Sequence, residues 1–101
     1  MNLFLHVTSE YFDQIRDGEK SEEYRLVCPY WISRIAERKC PFDGIHVFRG
    51  FPKNNSWTSK NYIHFPWNGY EVKMIKHPHF GDHLVQVFAI RLQLSGGERN
   101  G

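Results

Sequence analysis

The sequence predicts a small α+β domain: a strongly curved sheet or partial barrel of five to six short strands, with two helices early in the chain. Three observations predict it. Leu3, Leu5 and Val7 alternate with Asn2, Phe4 and His6, the period of a strand with a buried face. Tyr11, Phe12 and Ile15, then Trp31, Ile32 and Ile35, recur at helical spacing. Near-continuous apolarity from Leu84 to Leu94, with Val85, Val87 and Ala89 set against Gln86, Phe88 and Ile90, marks a central or barrel strand.

Each element follows from local chemistry. After the Leu3–Val7 strand, Thr8 or Ser9 offers an N-cap oxygen and Glu10 a first-turn negative charge. The first helix runs to Asp17, where Gly18 supplies the left-handed stop. A strand is predicted over Ser21–Val27, with Glu23, Arg25 and Val27 on one face and Glu22, Tyr24 and Leu26 on the other. Pro29, at a first helical position, opens a second helix that carries Arg34, Arg38 and Lys39 and ends at Pro41. Ile45 and Val47 mark a third strand closed by Gly50, and 52–60 reads as a long loop containing Trp57. Tyr62–Trp67 and Tyr70–Ile75 read as two strands of a hairpin turning at Asn68-Gly69. His77–His83 reads as a loop. The domain is predicted to span 1–95, with 96–101 a frayed polar tail.

The chain has 101 residues, the size of one domain. Its 41% hydrophobic content supports a core, and its 24% charged content argues against disorder. A net charge of +2 permits nucleic-acid binding without arguing for it. Cys28 and Cys40 form no CxxC pair, which argues against a thiolate zinc site and fits a reducing compartment. No stretch approaches the ~20 apolar residues of a membrane span. A cytoplasmic, membrane-free and monomeric protein is the expectation.

The chemistry concentrates in Gly18-Glu19-Lys20-Ser21-Glu22-Glu23-Tyr24-Arg25. Gly18 turns the chain, and Lys20 leaves the turn with a compact, mobile cation. Glu23 and Arg25 share a strand face, where carboxylate and guanidinium can hold each other still. Two cations and a carboxylate converging near a helix end suit a phosphate or a polar base, Arg donating and Glu accepting from an exocyclic amine. A plain ion pair clamping strand to helix is the competing reading. Glu19 and Glu22 read as solvated surface charges.

This G-x-K-x-x-E-x-R pattern resembles the signature of the ASCH domain family, of the bacterial and phage single-domain type. Glu10-Tyr11-Phe12, Tyr30-Trp31, Gly69-Tyr70-Glu71 and Val87-Phe88-Ala89-Ile90 extend the resemblance from Leu3 to Leu94. It implies a PUA-like β-barrel that holds RNA or a nucleotide in a polar cleft beside the helices. Lys20 and Arg25 would meet phosphate or carbonyl oxygens, Glu23 would position Arg25 or a base amine, and Tyr30 or Tyr70 would stack. The basic face of Arg34, Arg38 and Lys39 would contact RNA backbone or be merely solvated. The alternative is a small hydrolase with Lys20 and Glu23 as catalytic groups: a ribonuclease, or an amidohydrolase acting on N4-acetylcytidine. In that amidohydrolase branch the lysine works with a threonine three residues on, where this chain has Glu23, and a later glutamate, for which Glu71 is the nearest match.

No metal and no cofactor are expected. His77, His79 and His83 space as H-x-H-x-x-x-H, but Pro78 breaks the geometry of a helical pair and only Asp82 stands near. A cleft-lining loop or surface histidines remain the readings for that segment. An interaction adaptor without small ligands is a third functional class, and its sign would be an apolar patch in place of a polar cleft.

Overall fold

A first strand, β1 (Leu3–Val7), leads into helix α1 (Ser9–Arg16). The Thr8 hydroxyl caps α1 by accepting from the Tyr11 amide, and Gly18, at φ 79°, turns the chain out of it. Strand β2 (Glu22–Leu26) follows, and Pro29 opens α2 (Pro29–Trp31). Then come β3 (Gly44–Arg49), β4 (Tyr62–Pro66), β5 (Tyr70–Ile75) and β6 (Val85–Arg91). A single 3₁₀ turn, Pro78–Phe80, lies between β5 and β6. The structure, a computed structural model, describes residues 1–51 and 60–93. Trp57, with most of the loop expected around it, and the tail expected at 96–101 lie outside the described residues.

The fold is a small α+β arrangement of two three-stranded sheets, in the orders β1-β3-β4 and β2-β6-β5. This is compatible with the small curved sheet the sequence predicts, but the β-barrel that the resemblance implies is corrected to two sheets that do not close. The reason lies at Asn68-Gly69. The expected hairpin does not form, because β4 belongs to one sheet and β5 to the other. Pro66 removes a ladder donor at the end of β4, and Gly69, at φ 81°, lets the backbone change direction. That dipeptide is a corner between sheets. A second correction concerns the second helix. After α2 the chain widens into a π-helical turn over Ile32–Ala36, with the Glu37 amide donating to the Ile32 carbonyl at 3.0 Å, and helical structure stops before Arg38.

β1 and β3 pair in parallel, so a long crossover is obligatory, and α1, β2 and α2 supply it. β6 pairs antiparallel with both β2 and β5, the central position its apolar run predicts. Leu3, Leu5, Val7, Ile45, Val47 and Phe65 face Phe12, Ile15 and Ile35 from the helical segments and Phe88, Ile90 and Leu92 from the other sheet, forming one buried core.

The outer face of the first sheet carries a ladder of rings. In register across the strands stand Phe4, His46 and His64, then His6, Phe48 and Tyr62. Phe4 stacks on His46 at 5.0 Å and His6 on Phe48 at 4.9 Å, so the rings occupy one another's faces. The His46 Nδ1 is hydrogen-bonded to the Tyr62 hydroxyl. Burial and, secondarily, the neighbouring His64 hold the His46 pKa below the ordinary 6.5. The depressed value means that the unfolded chain takes up this proton first. Its stabilising contribution is therefore whole above about pH 6.5 and is lost as pH falls below that value. Urea midpoints followed from about pH 7 to pH 5 should drop, and His46→Phe should flatten part of the slope; an unchanged slope refutes the assignment.

Candidate functional site

The edge strands β1 and β2 face each other where the two sheets meet, and a cleft of about 290 Å³ opens between them. β2 sets its polar centre. In the β2–β6 register Glu23 stands opposite Ile90 and Arg25 opposite Phe88, so both side chains take the inward face of their strand. Glu23 is the only buried charged residue among those described, its side chain 8% exposed. A carboxylate so enclosed needs partners. Arg25 Nη2 lies 3.0 Å from Oε2 and Lys20 Nζ 3.5 Å from Oε1.

Lys20 is brought there by the turn after α1. The Glu19 and Lys20 amides both donate to the Gln14 carbonyl, at 2.8 and 3.1 Å, folding the segment back on the helix end. The Lys20 side chain is 12% exposed, and its ammonium faces the Tyr24 ring at 4.5 Å and the Tyr11 ring at 5.3 Å. Arg25 spans the seam. Its Nη2 also donates to the His6 carbonyl of β1 at 3.2 Å, and its guanidinium lies 5.4 Å from the Trp31 ring. Both polar contacts use Nη2, and Nε is buried with no partner.

The rest of the wall is aromatic. Tyr11, Tyr24, Trp31, His77, His79 and Phe80 line the cleft with Thr8 and Cys28. The histidine segment closes over α1 and β2: His77 meets Tyr11 and Tyr24 at 5.9 and 6.1 Å, and His79 meets Tyr11 at 6.1 Å. Burial, then Glu10 and Glu23, raises the Tyr11 pKa. Burial, then Glu22, raises that of Tyr24. Both phenols are neutral near pH 7 and present flat, uncharged faces.

Lys20, Glu23 and Arg25 are thus brought together as their spacing predicts. Four other expected residues stand elsewhere. Tyr70 points into the core, against Phe88 at 5.3 Å and Trp67 at 6.4 Å, because its register opposite Ile90 puts it on the inner face. Tyr30 and Arg34 project beyond Trp31 into a separate groove, since Trp31 itself turns to the cleft. Glu71 lies on the other sheet face with Lys73 and Arg91, away from the cleft. Glu22, expected to be solvated, is half-buried and bound by Lys73 at 3.0 Å and by the Tyr24 hydroxyl at 3.2 Å. Of the three histidines, His77 and His79 line the cleft and His83 does not. No cluster of metal-ligating side chains occurs among the described residues, and no helix among them is long and apolar enough to cross a membrane.

Sequence reasoning missed Tyr11, Tyr24 and Trp31 as cleft residues. Tyr24 had a signal, since it lies between Glu23 and Arg25 on an edge strand, where a long ring can wrap round the edge. Tyr11 had one in its place at the start of α1, beside the segment that returns Lys20. Compared with family models, curated proteins and solved structures, the chain matches none.

Proposed function

We propose that the cleft binds a nucleotide unit, free or within single-stranded RNA, and that the chain is an ASCH-like, PUA-like module. The observation that carries the reading is the buried Glu23 carboxylate, gripped between the Lys20 ammonium and Arg25 in a hollow walled by rings. The hollow suits one nucleobase with part of its sugar. The tyrosine faces and Trp31 give stacking surfaces, each worth roughly 1–3 kcal/mol to a base. Two cations against one carboxylate leave the site a net positive charge for a phosphate. The Arg25 Nε, buried without an acceptor, bears a desolvation cost of about 1–3 kcal/mol that a ligand oxygen would relieve. Glu23, acceptor-only while ionised, can receive the exocyclic amine of cytosine or adenine.

Tryptophan fluorescence titrated with cytidine and adenosine monophosphates tests this, because Trp31 forms part of the wall. Lys20→Ala is expected to weaken binding about 10- to 100-fold, the loss of one charge-assisted contact. Arg25→Lys is expected to weaken it as well, since the planar fork is lost. Affinity that survives both substitutions rules the reading out.

A second reading, cleavage of the bound strand, is favoured by the two imidazoles at the cleft rim. His77 or Glu23 would accept the ribose 2′-hydroxyl proton as its oxygen attacks phosphorus. Lys20 and Arg25 would face the developing phosphorane charge, and His79 would protonate the departing 5′-oxygen. Incubation with unstructured RNA and with N4-acetylcytidine separates binding from either hydrolysis, since only an enzyme yields product.

A further inference from the structure

A second hollow, of about 350 Å³, shares Trp31 with the cleft as a common wall. We propose that this groove holds the neighbouring nucleotide of a single-stranded RNA whose first unit occupies the cleft. The protein's ligand is then an oligonucleotide, an inference that rests on the reading of the cleft given above.

The charges point this way. The described residues include six arginines, and Arg16, Arg25, Arg49 and Arg91 each pair with a carboxylate. Arg34 and Arg38 do not. Each lies instead on a ring, Arg34 3.6 Å from the Tyr30 centroid and Arg38 4.0 Å from that of Phe42. Backbone carbonyls fix their orientation. Arg34 Nη1 donates to Tyr30 at 3.4 Å, and Arg38 Nε donates to Cys40 at 3.0 Å. The Arg38 Nη1 turns to the Met1 sulfur at 3.4 Å. Asp43 belongs to the Met1 amine at 2.5 Å, and that amine, more than Arg38, holds its carboxyl below the usual range. Both Nη2 groups remain for an acceptor from outside.

Two guanidiniums fixed on rings, neither in a salt bridge among the described residues, are cations ordered in advance. Such planes take a base on one face and a phosphate at the edge. Tyr30 adds an accessible ring, 54% exposed, although its hydrophobic area favours burial. A run of close contacts connects the two sites. Arg25 lies 5.4 Å from the Trp31 ring, Trp31 meets Tyr30 edge-on at 4.9 Å, and Tyr30 carries Arg34. A strand leaving the cleft past Trp31 therefore meets a stacking surface and two cations in succession. The π-helical turn that carries Arg34 helps to place it, such turns being frequent at functional sites. An acidic peptide would use the charges and leave the flat faces idle.

The test compares ligand lengths on the intact chain. Calorimetry with cytidine and adenosine monophosphates, then CpCpC and ApApA, should show the trinucleotides binding at least about tenfold tighter, the effect of one further stack. Arg34→Ala with Arg38→Ala should abolish that gain. The salt dependence of trinucleotide binding should fall in slope by ~0.7, the one phosphate contact the groove adds to that of the cleft. In the wild-type chain, the arginine Nε–H NMR signals of Arg34 and Arg38 should shift with the trinucleotides and stay put with the mononucleotides, a readout that does not depend on how well the variants fold. Equal affinity for both lengths, a gain that survives the double substitution, or tighter binding of a polyglutamate peptide overturns the groove and leaves mononucleotide binding in the cleft intact. Absence of any mononucleotide binding overturns both.

Discussion

Replacing Glu23 with alanine is expected to destabilise the fold by roughly 2–4 kcal/mol and to abolish nucleotide binding. Removing one member of a buried ion pair costs about 3–5 kcal/mol, because the partner stays behind uncompensated. The figure here is lower, since the side chains left behind, Lys20 and Arg25, keep 12% and 21% of their exposure and can find water. The effect still exceeds that of any surface ion pair in the molecule, such pairs being worth about 0–1 kcal/mol. Arg16–Asp17 is one of these, at 3.1 Å with both side chains about half exposed. Urea denaturation gives the stability and a monophosphate titration the binding. Glu23→Gln separates the two roles: it keeps the volume and an acceptor oxygen, so it should recover part of the stability while binding stays weak. A Glu23→Ala chain as stable as the parent would mean that the carboxylate is solvated and the cleft is not built around it.

Ile90→Ala is the second large effect, about 3 kcal/mol within the 2–5 kcal/mol range for such truncations. Ile90 is fully buried near the C-terminal end of β6, in the central strand of its sheet, opposite Glu23 on one side and Tyr70 on the other. The cavity left by truncation would open directly beside the carboxylate. Loss of stability should therefore come with weaker binding, whereas Ile90→Val should cost only about 1 kcal/mol and leave affinity unchanged. Thermal melts and fluorescence titrations on the pair give both values. An Ile90→Ala cost under 1 kcal/mol would show that β6 is not the centre of the core.

Local chemistry made β1, α1 and β2 legible. The alternation over Leu3–Val7, the Thr8 cap, the Gly18 stop and the shared face of Glu23 and Arg25 all depend on neighbours a few residues away. The triad could be read for the same reason, all three members lying within six residues. What could not be read depends on distant partners. Asn68-Gly69 has the composition of a hairpin turn, but whether the flanking strands pair is decided by β3 and β6, which compete for them. The cleft-facing side of the second helical segment turns on Trp31, whose direction is settled by its packing against the core. Tyr30 consequently fell on the wrong side of it in the sequence reading, and Tyr70 looked accessible because polar residues flank it. For the histidine segment the sequence leaves two readings open, a cleft-lining loop being one of them, and the choice between them rests on contacts with segments more than fifty residues away.

The seam between the sheets also bears on solubility. Exposed strand margins invite another molecule to add its own backbone, a common start of aggregation. Here the margins of β1 and β2 turn toward each other, and the Arg25 guanidinium occupies a carbonyl that an intruding chain would otherwise use. The side chain proposed to meet the ligand thus also guards against self-association, so weakening it for the sake of binding studies carries a risk of precipitation that has nothing to do with a ligand.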